Sequence, residues 1–360
     1  MALTANKGEW SELYALFKLL GDQHLALGQD KLEKIQGIIY PIIQVLREES
    51  NGTFAYTIEQ NLVIITENGT LVDRVPVQTF RDKAIQLFGA IKTHNGTFAI
   101  PEIEDFMSDI HCASIKARSS QKSDITIIIH DPKTNQRPTL GFSIKSQIGH
   151  PSTLLNAGKT TNFTYKITGT KLSAHDIQAI NSINTRYKIK DRIAKIIEKG
   201  GVFSFIKTER EIFSNNLILI DSLLPHIVAQ MVYTFYSSDL SKVADLVSSI
   251  ETENAMGFNT SQGHQFYDYK IKRFLTDISL GMMPSIVWTG TYDVTGGYLL
   301  VKDDGEVLCY HLYNKNEFEH YLMHNTKLET ASSSRHGFGF LFEEDDVLYM
   351  NLNLQIRFIK

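Results

Sequence analysis

Two neighbouring stretches of the sequence decide the fold: Ser123-Asp124-Ile-Thr-Ile-Ile-Ile-His130 and Gly141-Phe-Ser143-Ile-Lys145-Ser-Gln147. In the first stretch a run of β-branched apolar residues follows Asp124, which is typical of a buried strand. Residues 131–138 between the two stretches contain two prolines and an asparagine, residues that are typical of turns. The sequence therefore predicts a β-hairpin with Asp124 at the start of its first strand.

Polar side chains lie on one face of the second strand. Successive side chains of a strand point to opposite faces, so Ser143, Lys145 and Gln147 share one face and Ile144 points to the other. A lysine inside a sheet needs a charged partner, because burial alone lowers its pKa. Asp124 on the first strand can be that partner, and such a pair suits metal-dependent hydrolysis of phosphodiesters.

The hairpin resembles the active site of the PD-(D/E)xK nucleases. In that superfamily an Asp begins one strand, and an acidic residue, any residue and a Lys lie on the next. Ser123-Asp124 matches the first part of the pattern and Ser143-Ile144-Lys145 matches the second. The sequence departs from the pattern at Ser143, where the superfamily has Asp or Glu. On spacing alone, a surface hairpin is the alternative.

Further stretches resemble blocks of the HpaII family of type II restriction endonucleases, in the expected order. They are Asn6-Lys-Gly-Glu9-Trp-Ser-Glu12-Leu-Tyr14, Ser152-Thr-Leu-Leu-Asn156-Ala with Thr161-Asn162-Phe163, Glu329-Thr-Ala-Ser332-Ser333-Ser334-Arg335-His336-Gly, and Leu352-Asn-Leu-Gln-Ile-Arg-Phe358. The resemblance implies an α+β fold with a PD-(D/E)xK nuclease core, a central mixed sheet flanked by helices. It also implies an N-terminal helical part and a strand-rich C-terminal part.

The resemblance implies Mg²⁺-dependent hydrolysis of double-stranded DNA. Mg²⁺ is normally held by one or two carboxylates together with phosphate oxygens and water. We expect Asp124 to be a metal ligand and, by family analogy, the backbone carbonyl of Ile144 to be another. Lys145 is placed to activate the attacking water or to stabilise the charge that develops on the phosphate.

Ser143 leaves this predicted metal site one carboxylate short, because a neutral hydroxyl is a poor substitute as a ligand for a hard dication. We expect Glu12 to supply the missing charge from the N-terminal helix, with Glu9 as the second choice. Gln147 continues the polar face and is predicted to bind a metal-bound water or a phosphate, or else to pair with a neighbouring strand. Asp131 is another acid in the hairpin, but its place beside a proline suits a turn.

Sequence recognition is predicted in a serine-rich segment near the C-terminus. An arginine can read O6 and N7 of guanine, and serine hydroxyls can bind base edges or phosphates. A flexible polar loop is the alternative for this segment. The predicted DNA-binding residues are Ser332, Ser333, Ser334, Arg335, His336, Asn156, Lys159 and Asn162.

Two other stretches could bind phosphate. Residues 153–160 are one residue short of a P-loop, with Thr153 where the first glycine belongs. They do not follow a buried apolar strand, so we expect no nucleotide cofactor. Residues 188–199 form the most basic local stretch and fit either a phosphate-facing surface or a solvated helix face.

The resemblance also implies a biological setting. The expected target is a short palindrome, CCGG, cut between the two cytosines. A two-fold symmetric target suggests a homodimer in which each protomer cuts one strand, and a cognate DNA methyltransferase would protect the host genome. The alternative is a catalytically inactive DNA- or methylation-reading protein on a degenerate nuclease fold, for which Ser143 is the best support.

Composition sets broad limits on the class of protein. The formal net charge of −4 argues against a generally cationic surface but allows a local basic cleft. Cys112 and Cys309 lie far apart and match no zinc spacing, as in a reduced protein of the cytosol. No cationic segment followed by an apolar run opens the chain, and no stretch approaches the roughly 18 apolar residues of a membrane-spanning helix. We therefore expect a cytoplasmic bacterial protein that contacts no membrane.

Hydrophobic periodicity and turn residues predict the elements. We expect helices over residues 8–20, 31–48, 80–92, 151–155, 174–199, 222–249 and 264–280. We expect a hairpin over residues 53–75 around Asn68-Gly69, and strands over residues 161–169, 285–292, 297–302, 306–313, 337–342 and 347–358. Residues 304–305 and 343–346 are predicted turns. We interpret the chain as one endonuclease with a helical and hairpin region over residues 1–110, a catalytic core over 111–255 and a strand-rich DNA-recognition region over 256–360.

Overall fold

The structure is a computed structural model that describes residues 2–49, 52–116 and 123–359. It is a mixed α/β protein. Its helices are α1 (Lys7–Asp22), α2 (Val77–Thr93), α3 (Pro101–Asp109), α4 (Ala174–Ser182), α5 (Lys188–Glu198), α6 (Glu211–Ile220), α7 (Leu224–Ser237), α8 (Val243–Glu253), α9 (Phe266–Leu280), α10 (Lys315–His324) and α11 (Ser333–His336). Its strands are β1 (Ala5–Asn6), β2 (His24–Gly28), β3 (Lys34–Glu49), β4 (Gly52–Glu59), β5 (Leu62–Glu67), β6 (Thr70–Pro76), β7 (Thr97–Phe98), β8 (Ile125–Ile129), β9 (Thr139–Ser146), β10 (Thr153–Leu155), β11 (Asn162–Thr168), β12 (Val202–Thr208), β13 (Gly297–Val301), β14 (Val307–His311), β15 (Thr326–Leu328), β16 (Leu341–Glu344), β17 (Val347–Asn353) and β18 (Ile356–Phe358).

The chain divides into two compact units. The first unit comprises Met1–Ser152 and Tyr292–Tyr321, and the second comprises Thr153–Thr291 and Leu322–Ile359. Each unit is therefore built from separate parts of the chain, which cut across the three consecutive regions expected from the sequence.

A nine-stranded mixed sheet forms the centre of the first unit, in the order β2-β14-β13-β9-β8-β3-β4-β5-β6. Strands β9 and β13 are parallel, as are β14 and β2, and the other neighbours are antiparallel. Because β2 also pairs with β3, six of the strands close into a ring. The predicted catalytic hairpin, β8 and β9, lies inside this sheet.

Helix α1 begins at a capping box and buries one face in the core of the first unit. The Asn6 side chain accepts a hydrogen bond from the backbone N–H of Glu9, and the Glu9 side chain accepts one from the backbone N–H of Asn6. Trp10, Leu13 and Phe17 recur at helical spacing and are fully buried. The capping box thus fixes where the helix starts, and the apolar stripe fixes which face turns toward solvent.

The second unit contains two antiparallel sheets and most of the helices. One sheet has the order β12-β11-β17-β16, and the other has the order β10-β18-β15. Helix α7 packs against β12 and β17 of the four-stranded sheet, where the Tyr165 hydroxyl donates a hydrogen bond to the backbone oxygen of Ala229. The three-stranded sheet brings β10 beside strands that lie much later in the sequence.

Several predicted elements are confirmed. Helices α1, α2 and α9 lie in regions expected to be helical, and residues 222–249 are helical but divided between α7 and α8. Asn68 and Gly69 both have positive φ in the turn between β5 and β6, as an Asn-Gly turn requires. Gly305 has a φ of +90° in the turn between β13 and β14, and Asp345 and Asp346 form the turn between β16 and β17.

Other predicted elements are wrong in whole or in part. Most of the predicted helix 31–48 lies in the strand β3, and the predicted helix 151–155 contains β10. Of the predicted strand 337–342, only the last two residues belong to a strand, β16. Residues 174–199 form two helices, because the buried guanidinium of Arg192 donates hydrogen bonds to the carbonyls of Asn181 and Ile183 at the break. Residues 285–292 form no strand; their backbone is held by the side chain of Asn216, which donates to the carbonyl of Ile286 and accepts from the N–H of Trp288.

Among the described residues no single helix has the length and apolar character to cross a membrane, and one bent helix pair, α6 with α7, meets that test by length and composition alone.

Candidate active site and nucleic-acid interface

The hairpin places three predicted catalytic side chains in a hydrogen-bonded chain. The Ser143 hydroxyl donates to Oδ2 of Asp124 at 3.0 Å. The ammonium of Lys145 donates to Oγ of Ser143, also at 3.0 Å. Ser143 therefore occupies the position expected for an acid and links the carboxylate to the lysine.

The site exists because the pairing of β8 with β9 ends beside it. The last paired residues are Ile125 and Phe142, and the backbone N–H of Asp124 donates to the carbonyl of Phe142 at 2.8 Å. Beyond this point the edge of β9 is filled by the Asp124 side chain, whose Oδ2 accepts the backbone N–H of Ile144 at 2.6 Å. In a strand the N–H and C=O of one residue point to the same edge, so the carbonyl of Ile144 points to the side of β9 that Asp124 occupies.

Glu12 reaches this site from α1. The Ser146 hydroxyl donates to Oγ of Ser11 at 2.9 Å, which ties the helix to the end of β9. Burial, followed by the negative charge of Asp124, raises the pKa of Glu12 to about 7. Two carboxylates that repel each other in a partly buried place form a site where a cation is stabilised.

Glu9 is engaged elsewhere. It belongs to the capping box of α1, and its Oε1 lies 3.2 Å from Nζ of Lys116. The hydrogen bond from the backbone N–H of Asn6 holds the pKa of Glu9 below its ordinary value, and Lys116 lowers it further. Glu9 thus has the contacts of a helix-capping residue, and Glu12 is the stronger candidate ligand.

Lys145 lies between acidic groups and an aromatic ring. Burial lowers the pKa of its ammonium, and the charges of Asp124 and Glu12 act in the opposite direction. Its Nζ lies 5.1 Å from the centroid of the Tyr298 ring. Tyr298 pairs with Ser143 through the parallel contact of β13 and β9, so no local signal in the sequence connects it with the hairpin.

Two further polar residues of the hairpin have distinct places. Gln147 directly follows β9, and its backbone N–H donates to the carbonyl of Val301 at 2.9 Å. The Asp131 side chain accepts hydrogen bonds from the N–H of Lys133 and the hydroxyl of Thr134. These hydrogen bonds to the next residues of the turn confirm the turn-forming interpretation of this acid, and the Thr134 hydrogen bond lowers the pKa of Asp131.

The donor set fits a hard dication. No group of three or more His, Cys, Asp or Glu side chains suited to a metal ion occurs in the part of the chain that the structure describes. Asp124 and Glu12 could nevertheless provide two carboxylates, and the carbonyl of Ile144, on the side of β9 that Asp124 occupies, could provide a third oxygen. Mg²⁺ sites commonly use only one or two carboxylates and take their other oxygens from water and phosphate.

The second unit gathers several of the predicted DNA-binding residues around one open cavity of about 470 Å³. Asn156, Ser332, Arg335 and His336 line it. Ser334 is exposed beside it, and its hydroxyl lies 3.4 Å from that of Ser332. Ser333 is buried, with 3% of its surface exposed, and is therefore not placed to touch DNA.

Asn162 and Lys159 differ in accessibility. Asn162 is fully buried, and its amide donates to Glu209 and to the carbonyl of His336 and accepts from Asn353. This position corrects the expectation that Asn162 contacts DNA, because its amide is used inside the protein to hold the segment that carries His336. Lys159 is exposed.

The basic stretch of α5 is largely paired within the protein. Lys190 contacts Asp239, Lys195 contacts Glu198 and Lys199 contacts Asp176. Arg192 is buried, and its guanidinium donates to the carbonyl of Gly339 at 2.5 Å. These partners favour the structural interpretation of the stretch over a phosphate-facing surface.

The P-loop resemblance of residues 153–160 is also resolved. A P-loop connects a strand to a helix whose N-terminus binds phosphate. Here β10 is followed by a short 3-10 turn, Lys159–Thr161, and then directly by β11. The geometry of a P-loop is absent from this stretch.

Comparison with known proteins identifies the family of the chain. Residues 6–358 match the HpaII restriction endonuclease family. The chain belongs to the HpaII restriction endonuclease family. It is also 48% identical over 360 residues to the type II restriction enzyme HpaII of Haemophilus parainfluenzae, covering 99% of each chain. No solved structure matches the chain.

Membership of the HpaII family establishes the activity. The chain is a type II site-specific deoxyribonuclease, and DNA is its partner. A site-specific nuclease needs a hydrolytic site and a polar surface that distinguishes base pairs. The hairpin of the first unit and the polar cavity of the second unit are the candidates for these two roles.

Proposed function

We propose that the chain is a Mg²⁺-dependent endonuclease with a PD-(D/E)xK core, in which Glu12 of α1 supplies the acidic group that Ser143 lacks. The observation that carries the proposal is the hydrogen-bonded chain from Lys145 through Ser143 to Asp124. Glu12 lies near this chain, and the charge of Asp124 contributes to the raised pKa of Glu12. The mixed sheet of the first unit, with helices packed on it, supports this core assignment.

Asp124, Glu12 and the carbonyl of Ile144 would hold the metal ion. When bound, Mg²⁺ supplies a positive charge that polarises a phosphodiester and lowers the pKa of a coordinated water. The two carboxylates would hold the metal ion in place and partly neutralise its charge. Ser143 keeps Asp124 in place, because its hydroxyl donates to the carboxylate while accepting from Lys145.

Lys145 is proposed to accept a proton from the attacking water or to stabilise the negative charge that develops on the phosphate. Burial makes its neutral form more accessible than that of a lysine in water, so it can accept a proton; in its charged form it stabilises the phosphorane. The Tyr298 ring and the Ser143 hydroxyl fix the direction of its ammonium. Gln147 is proposed to bind a metal-bound water or phosphate at the end of the same strand.

The proposed target is CCGG, cut between the two cytosines, and the proposed assembly is a homodimer. The proposal of this target rests on membership of the HpaII family and on the 48% identity to the Haemophilus enzyme. The polar cavity of the second unit is proposed to read the bases through Arg335, His336, Ser332 and Asn156, with Ser334 and Lys159 beside it. A cognate methyltransferase would protect the host genome.

Plasmid digestion followed by run-off sequencing of the ends tests the reaction and the target together. We expect discrete fragments with Mg²⁺, none with EDTA, and ends that map between the cytosines of CCGG. Discrete ends at another sequence would overturn the target but not the chemistry. Intact DNA with shifted mobility would contradict cleavage and indicate a DNA reader.

Two substitutions locate the chemistry. Asp124→Ala and Lys145→Ala are each expected to lower cleavage by about 100-fold or more, because they remove a proposed metal ligand and a proposed acid–base group. Binding of the target duplex should persist, since the proposed base-reading residues lie in the second unit. Normal cleavage by either variant would contradict the site assignment.

A further inference from the structure

The cavity that contains Arg335 has a second arginine on its wall. Glu329, Gln355 and Arg357 line the same cavity as Arg335, Asn156 and Ser332. Nε of Arg357 lies 2.6 Å from Oε2 of Glu329. Both side chains remain accessible, with 31% of the arginine and 43% of the glutamate exposed.

The three-stranded sheet explains why these residues meet. In the pairing of β15 with β18, Leu328 lies opposite Ile356, and one residue further on the N–H of Glu329 donates to the carbonyl of Gln355 at 3.2 Å. Glu329 and Arg357 are therefore diagonal neighbours on one face of the sheet, where long side chains can touch. On the other side of β18, β10 ends immediately before Asn156.

The chemistry of the cavity matches the edges of base pairs rather than an extruded base. An extruded base is normally stacked between aromatic or apolar side chains, whereas this cavity is lined by two guanidinium groups, a carboxylate, two amides, hydroxyls and an imidazole. In the major groove a G·C pair presents the O6 and N7 acceptors of guanine and the N4 donor of cytosine. Arginine and glutamate are the side chains that bind those two edges.

We propose that Arg357 is a specificity-determining residue that reads a guanine, and that Glu329 positions its guanidinium and accepts from the N4 amino group of the paired cytosine. Together with Arg335, this gives the cavity two guanine readers, one for each guanine of a CCGG half-site. The assignment of two guanines rests on the proposed target CCGG. The role of Arg357 at a G·C pair does not depend on that target. Gln355, which directly precedes β18 and lies opposite Glu329, completes the polar wall.

Binding selectivity tests this role. Competition binding is measured in a Lys145→Ala background, so that DNA stays intact, on the target duplex and on duplexes with one base pair replaced at each position. Arg357→Ala is expected to bind the target about 5- to 150-fold more weakly, and to lose discrimination at one G·C position. Arg357→Lys keeps the charge but not the planar fork, so it should lose the same discrimination.

Lys199→Ala is the control. It removes one positive charge and one ion pair from the same unit, and it does not line the cavity. It should leave selectivity unchanged. Glu329→Gln should relax selectivity at the same position as Arg357→Ala, and the double variant should lose less than the sum of the two, because the residues act as a pair.

Several results would overturn the proposal. If Arg357→Ala weakened all duplexes equally, or if Arg357→Lys restored full selectivity, Arg357 would be a phosphate contact. Unchanged binding by a folded Arg357→Ala variant, judged by its circular dichroism and thermal midpoint, would also reject it. If the end mapping gives a target other than CCGG, the same series is run on that target, and loss of discrimination at one G·C pair there still supports Arg357.

Discussion

Glu12 is held in a position that is unfavourable for an ionised carboxylate in the absence of a cation. Burial and the neighbouring charge of Asp124 raise its pKa to about 7, from an ordinary value of 4.5. The unfolded chain therefore loses this proton at a lower pH than the folded protein does. Between these two values the stability of the folded protein falls as pH rises, and above pH 7 the loss is complete.

Glu12→Gln is therefore expected to stabilise the metal-free protein while removing activity. The gain should be near zero below pH 4.5, grow up to about pH 7, and reach on the order of 1–3 kcal/mol at pH 8. Urea unfolding in EDTA at pH 5 and pH 8 measures it. An equal effect of the substitution at both pH values would show that the carboxylate is not buried beside Asp124.

At the scale of the element, α1 matters because it carries Glu12 to the end of β9. Asn6→Ala removes the capping side chain and should lower the free energy of unfolding by about 1 kcal/mol. It should also raise the Mg²⁺ concentration needed for half-maximal cleavage, because Glu12 is then held less firmly. Denaturant midpoints and Mg²⁺ titrations of cleavage measure the two effects.

Ser173→Ala is a matched control for this prediction. Ser173 caps α4 in the second unit through a capping box of the same kind. Its loss should destabilise the protein to a similar extent but leave the Mg²⁺ requirement unchanged. If both variants shifted the requirement equally, the effect of Asn6→Ala would reflect general destabilisation and not the position of Glu12.

The sequence predicts elements well where one rule applies and poorly where distant residues decide. The stripe of Trp10, Leu13 and Phe17 has only one explanation, and α1 follows it. In β3 a bulge between Ile42 and Gln44 shifts the register. The buried residues Ile42 and Val45 are therefore three apart, a spacing that is typical of a helix. The many β-branched residues of β3 were the contrary signal.

The candidate site was predictable to the same degree. Asp124, Ser143 and Lys145 belong to one hairpin and could be connected from the sequence, and the family resemblance pointed to Glu12. Tyr298 and the pair of Glu329 with Arg357 depend on strand pairings across long stretches of sequence. The prediction that Asn162 contacts DNA failed because sequence alone does not distinguish a buried amide from one that faces DNA.

At the scale of the whole molecule, the proposed cleavage groups lie in one unit and the proposed base readers in the other. Glu12, Asp124 and Lys145 belong to the first unit, and Arg335 and Arg357 to the second. Each unit consists of separate segments of the chain, and the segments of the two units alternate along the sequence. Cleavage and base recognition can therefore be impaired by separate substitutions.

The proposed homodimer gives a prediction at this scale. A dimer of one unaltered protomer and one Lys145→Ala protomer, co-purified through two different tags, should cut only one strand at each target. A supercoiled plasmid with a single target should then accumulate as nicked circles. Linear product at the rate of the unaltered dimer would show instead that one protomer cuts both strands.

The most direct test of the central claim is a Mg²⁺ titration of single-turnover cleavage at pH 8 with Glu12→Gln and Glu9→Gln. Glutamine at position 9 keeps the capping geometry, so Glu9→Gln should cleave within about twofold of the unaltered protein. Glu12→Gln should lose about 100-fold or more, since even residues that only support a metal ligand commonly cost 10- to 100-fold. Cleavage by Glu12→Gln at the unaltered rate and the unaltered Mg²⁺ requirement would contradict the account.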